Sequence, residues 1–175
     1  MLKTIALVVV LLLAAVLIFA ATRPDTFRVT RSATIKAPPE KIFPLVADFK
    51  RWTAWSPWEK MDPNLKRSYG GAAEGKGATY AWEGDRNVGQ GRMEITDAAA
   101  PGRVAIKLDF LKPFEAHNTV LFTLAGRGES TEVTWDMQGP ANYLSKLIGV
   151  FVSMDRMVGG DFEAGLANLK AVAEK

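Results

Sequence analysis

From Ile5 to Ala21 the chain reads IALVVVLLLAAVLIFAA, 17 residues without one polar side chain, flanked by Lys3 and by Arg23-Pro24-Asp25. As a helix rising about 1.5 Å per residue, this run is roughly 26 Å long, near the short end of what crosses a bilayer. It has no polar face for solvent, which argues against a buried core helix. A cleaved secretory signal has an apolar region of about 7–15 residues followed by small residues at the cleavage site. This run is longer, and its candidate sites after Ala20 or Ala21 place Ile18 or Phe19 three residues before the cut. An uncleaved single-pass anchor over residues 1–23 is favoured, with cleavage as the alternative. The positive-inside tendency keeps Lys3 in the cytoplasm and puts residues 24–175 on the extracytoplasmic side, the periplasm in a Gram-negative cell. Arg23 weakens that asymmetry.

Removing this segment changes the meaning of the composition. The first 22 residues hold 19 of the 84 apolar residues, so the remaining 153 carry 65, about 42%, an ordinary share for one soluble domain. Beyond Lys3 the chain has 21 Lys and Arg against 19 Asp and Glu, and the basic residues are scattered. A nucleic-acid partner, which demands a dense positive face, is not expected. There is no cysteine and a single histidine, His117. Disulfide staples, thiolate nucleophiles, Cys-ligated zinc and His-rich metal sites are thereby excluded, and no metal or cofactor is expected.

Residues 26–36 alternate Phe27, Val29, Ala33 and Ile35 with polar neighbours, the period of a half-buried strand. Pro38-Pro39 then opens a short helix with Ile42, Phe43, Leu45 and Val46 at helical spacing, followed by a second turn at 49–52. Six strand-like runs succeed it, 65–69, 78–83, 88–96, 103–110, 115–124 and 131–138, separated by turn signals such as Gly84-Asp85-Arg86-Asn87. These form an antiparallel meander. After Gly139-Pro140, with Asn142 as N-cap, Leu144, Leu147, Ile148, Phe151, Met154, Val158, Phe162, Leu166 and Leu169 recur at three- and four-residue steps. One long helix is predicted, or two nearly coaxial ones. Gly159-Gly160 inside the stripe either kinks it or leaves room for something beside it.

The order strand, short helices, six strands, long helix defines an α+β fold in which the helix covers the concave face of a curved sheet. The runs APPEKIF, DFKRWTAWSPWEKMDPN, FEAHNTVLFTL, GPANYLSKL and DFEAGLANLK resemble the bacterial branch of the START-like superfamily, the polyketide cyclase/dehydrase-like proteins, over about residues 26–174. That resemblance implies a helix-grip fold of about seven strands, with a cavity between sheet and long helix.

Alternation assigns the inward face. Val104, Ile106, Leu108 and Phe110 oppose Ala105, Lys107 and Asp109; Ala116, Asn118, Val120, Phe122 and Leu124 oppose Glu115, His117, Thr119 and Leu121; Val133, Trp135 and Met137 oppose Thr134 and Asp136. Tyr80, Trp82, Met93 and Ile95 join the same face, and Met154 and Phe162 face it from the helix. Tyr80, Trp82, Met93, Phe110, Asn118, Phe122, Trp135, Met137, Met154 and Phe162 are the candidate ligand-binding residues, and their plain alternative is ordinary core packing. Asn118 must bond either a ligand or a backbone group at a strand irregularity, and Tyr80 can turn a hydroxyl into the same space. Trp52, Trp55 and Trp58 form the densest aromatic feature, with Trp52 read as a core cap and Trp55 as a ligand-contacting residue at the rim. His117 is read as outward and solvent-exposed, as are Glu83, Glu94 and Asp109, so no acid–base pair assembles.

A membrane-anchored domain that binds a small hydrophobic ligand, lipid- or polyketide-like, accounts for anchor, cavity and missing catalytic set together. A polyketide cyclase/dehydratase-like enzyme and a protein-interaction module are the alternatives, since fold alone decides none of them.

Overall fold

The computed structural model describes residues 1–175. Helix α1 (Leu2–Thr22) precedes β1 (Thr26–Ile35), α2 (Pro39–Ala47) and two 3-10 turns, Phe49–Ala54 and Pro57–Lys60. Strands β2 (Lys66–Gly71), β3 (Ala78–Glu83), β4 (Gln90–Ala99), β5 (Arg103–Lys112), β6 (Ala116–Arg127) and β7 (Ser130–Pro140) follow, then α3 (Tyr143–Gly149) and α4 (Met154–Ala173). All seven strands form one antiparallel sheet in the order β1-β7-β6-β5-β4-β3-β2. Consecutive strands from β2 to β7 pair as neighbours, as a meander must, and β1 adds itself to β7. β4 outruns its predicted limit because a bulge between Ile95 and Asp97 lets pairing resume as far as Ala99 opposite Arg103.

Pro39 opens α2, where its missing N–H leaves nothing unpaired. The Asp48 carboxylate then accepts from the Lys50 N–H at 2.9 Å and starts the first 3-10 turn. Asn142 caps α3 as its position suggested, its Oδ1 accepting from Ser145 N–H at 2.8 Å. The long apolar stripe is not one core face, however. The helix stops after Gly149 and restarts at Met154 behind a Ser153 cap, and Leu144, Ile148 and Phe151 are exposed. Only the part of the stripe in α4 is core, with Phe162, Leu166 and Leu169 buried against the sheet.

Of the two roles open to Gly159-Gly160, room is the one used at Gly159. A Cβ there would stand 2.2 Å from the Arg31 guanidinium, which crosses from β1 to bond Glu163 at 2.6 Å and Asp155 at 2.7 Å. Gly165 likewise lets α4 approach, since a Cβ on it would meet the Trp135 ring at 2.8 Å. The amino-terminal half of α4 is thus clamped to β1 by charge, and just past its midpoint the helix is seated on β7 by a missing side chain.

Helix α1 is long and apolar enough to cross a membrane, and nearly all of it is exposed. Its carboxyl end is tied to α3. The Tyr143 hydroxyl donates to Leu17 O at 3.1 Å, Arg23 donates to Gly149 O at 3.2 Å, and Lys146 pairs with Asp25.

Candidate functional site

Strand alternation delivers the concave face as read from the sequence. Val104, Ile106 and Leu108 on β5, Asn118, Val120, Phe122 and Leu124 on β6, and Val133, Trp135 and Met137 on β7 are all buried, with Phe110 and Ala116 half-buried at the end. Tyr80, Trp82, Met93 and Ile95 continue that face across β3 and β4, Phe162 closes it from α4, and Met154 lies half-buried at the start of that helix. The candidate residues therefore line one interior.

The middle of that interior is an aromatic layer. Trp135 stacks on Phe162 at 4.2 Å between ring centres, Trp58 meets both rings edge-on at 5.7 and 6.0 Å, and Phe122 lies 4.9 Å from Trp135. Trp52 caps the core as expected. Trp55 does not stand at a rim: it is fully buried, its indole N–H donating to Leu45 O at 2.8 Å while its own carbonyl accepts from the Asn168 amide at 3.0 Å. Pro57 starts a new 3-10 turn immediately after Ser56, which turns Trp55 inward and leaves Trp58 as the half-buried ring of the three.

Two buried side-chain polar atoms have no hydrogen-bond partner, Asn118 Oδ1 and Trp135 Nε1, and both side chains belong to the concave face. Of the two partners open to Asn118, a backbone group does not meet its Oδ1. Its amide lies over Gly139, where a Cβ would come within 2.0 Å of Oδ1. Glycine at that position makes the space for the amide and supplies nothing to bond its oxygen.

Tyr80 is engaged elsewhere. Its hydroxyl donates to Glu59 Oε1 at 2.6 Å, and Arg67 donates to Glu59 Oε2 at 2.6 Å and to Glu59 O at 2.8 Å. Burial, reinforced by the Glu59 carboxylate, pushes the Tyr80 phenol well above its ordinary range, so its proton stays on and is committed to Glu59. No spacing announced this trio: Glu59 sits in a 3-10 turn, Tyr80 on β3 and Arg67 on β2.

On the opposite, convex face His117 points outward as read, with Nδ1 2.7 Å from Asp109 Oδ1. Asp109 shares that face but is not exposed: Arg92 at 3.0 Å, Lys107 at 3.2 Å and His117 close over it, leaving its side chain 3% accessible. A groove of about 470 Å³ runs beside it over β2–β5. Burial raises the Asp109 carboxyl, but the hydrogen bonds from His117, Arg92 and Lys107 together outweigh it and hold the group at about 2. A carboxyl depressed below its unfolded value stabilises the fold above that value and loses the contribution as pH falls through the folded one. Acid unfolding is therefore expected to draw on Asp109 between about pH 4 and pH 2. Asp109→Asn should flatten stability across that window in a urea-midpoint series against pH; an unchanged slope would count against the assignment.

A curved antiparallel sheet gripping a carboxyl-terminal helix over an aromatic interior defines a helix-grip protein. The chain belongs to the family described as polyketide cyclase / dehydrase and lipid transport, which it matches over residues 26–174. Among curated proteins no sequence matches it. Solved structures with the same fold include protein CV1439 from Chromobacterium violaceum, at 14% identity and TM-score 0.58, covering 87% of this chain and 99% of that one. Protein Ms6760 from Mycobacterium smegmatis has 20% identity and TM-score 0.57, covering 85% and 91%. The Aha1 dimer from Colwellia psychrerythraea has 14% identity and TM-score 0.60, covering 85% and 96%. At these identities the likeness is one of fold. The family description points to hydrophobic molecules as ligands.

Proposed function

We propose that this chain is a membrane-anchored domain that holds a small hydrophobic ligand, lipid- or polyketide-like, against the concave face of the sheet beneath α4. The observation that carries this reading is the pair of unpartnered polar atoms, Asn118 Oδ1 and Trp135 Nε1, in an otherwise apolar aromatic interior. A buried polar group left unpaired destabilises a fold by about 1–3 kcal/mol, and a ligand carrying one hydroxyl or carbonyl can satisfy one of the two. Because rings fill the layer under α4, entry requires the amino-terminal half of that helix to lift, which the Arg31 clamp to Asp155 and Glu163 opposes. Binding is favoured over catalysis because the Tyr80 proton is held by Glu59 and His117 lies on the other face of the sheet.

The test is photocrosslinking of the full chain in membranes with a diazirine-bearing fatty acid, mapped by peptide mass spectrometry. Adducts are expected on β6 and β7 interior residues, and Asn118→Leu should reduce them severalfold while leaving adducts on α1 unchanged. The same variant should be at least as stable as the parent, since it removes an unpaired acceptor. Adducts on α1 alone would refute the reading.

A further inference from the structure

The two ends of the sheet differ in what they expose. One end gathers the start of β1, the end of β7 with α3 following it, the hairpin between β5 and β6 and the turn between β3 and β4, because Thr26 pairs with Pro140, Phe110 with Ala116, and Gln90 with both Glu83 and Lys112. This end carries Phe114 at the hairpin tip, 76% exposed, with Leu111 beside it, and Leu144, Ile148, Phe151 and Val152 on α3 and the turn after it, Phe151 being 69% exposed. The turns at the other end, 72–77, 100–102 and 128–129, carry no large apolar side chain; their tips are Glu74, Lys76 and Glu129, and the nearest exposed ring, Tyr69 on β2, is 38% exposed. Helix α1 leaves the domain at the apolar end, its last turns bonded to α3 through Tyr143, Arg23 and the Lys146–Asp25 pair.

A hairpin tip presenting phenylalanine to water is unfavourable, whereas the same ring in the boundary layer of a bilayer is favoured. We infer that this end of the domain is a membrane-docking surface, in which Phe114 and Leu111 on the hairpin and Leu144, Ile148, Phe151 and Val152 on α3 and its junction dip into the leaflet that α1 enters. The inference rests on α1 spanning the membrane. Its occupant is the bilayer because the surface is continuous with the one helix of the chain able to enter lipid, and because the exposed apolar groups come from two elements at the same end of the sheet, α3 following the end of β7 and the β5–β6 hairpin. It also bears on the proposed ligand site. Asn118 pairs with the level of Gly139, one residue before Pro140, so the unpaired amide lies at the docked end of the interior. An apolar ligand would then pass between leaflet and concave face beside α3 without crossing water.

The chain has no cysteine, so single labels can be placed freely. Leu12→Cys, Phe114→Cys, Phe151→Cys and Glu129→Cys, each in the full chain and each carrying a bimane label, would be compared in phosphatidylcholine vesicles containing acyl-chain nitroxide lipid. Docking gives strong quenching at positions 114 and 151 as well as at 12, severalfold above position 129 at the far end. Quenching at position 12 alone, with 114 and 151 matching 129, would overturn the docking surface and leave the anchor standing. An unquenched position 12 would overturn the anchor and the inference with it. Shielding of 114 and 151 that depends on protein density rather than on lipid would mark a contact between copies and also overturn it.

Discussion

Trp55→Ala is expected to destabilise the chain by about 3–5 kcal/mol, the range for emptying a fully buried large aromatic site. The indole is fully buried, touches the rings of Trp52, Phe122 and Trp135 at 4.8–6.1 Å, and donates to Leu45 O. Its removal opens a void between the first 3-10 turn and the rings of β6 and β7 and leaves the Leu45 carbonyl without that donor. Trp58→Ala should be milder, because Trp58 is half-buried and donates no hydrogen bond. Urea unfolding of the full chain in mild detergent, followed by near-ultraviolet circular dichroism, reads both. Equal losses at the two positions would mean that Trp55 is not the ring on which the layer is built.

Arg67→Met carries the second large effect. The Glu59 side chain is 5% exposed and is satisfied by one charge and one phenol, so removing the guanidinium strands a buried carboxylate. Breaking a buried pair from one side destabilises by about 3–5 kcal/mol, whereas replacing both partners by neutral groups is often close to neutral. Glu59→Gln combined with Arg67→Met should therefore recover most of what Arg67→Met loses. The coupling is read from a double-mutant cycle of unfolding free energies. Additive losses would show that the pair does not act as a unit.

How far the sequence foretold this molecule depends on whether an interaction repeats along the chain. Seven strands were legible because alternation is a period, and the inward assignment of Asn118, Phe122, Trp135 and Met137 followed from the same period. Where contacts come from residues far apart, no period exists. Glu59, Arg67 and Tyr80 meet only because a 3-10 turn packs over β2 and β3, and Asp109 is buried by the side chains of Arg92, Lys107 and His117 from β4, β5 and β6 while its register still reads outward. The stripe from Leu144 to Leu169 misled for a related reason. Helical spacing records which residues share a face, not what covers it, and the stretch before Met154 faces outward beside α1 rather than onto the sheet. Trp55 shows the limit at a single residue: its backbone carbonyl accepts from Asn168 on α4, more than a hundred residues away, a contact that no local spacing announces.

Native mass spectrometry of the full chain released from membrane nanodiscs tests the ligand site most directly. If the concave face holds an apolar molecule, one such molecule should stay bound under activation that strips bulk lipid, and Asn118→Leu should lose it while remaining folded. A bare chain in repeated preparations, from parent and variant alike, would contradict the account.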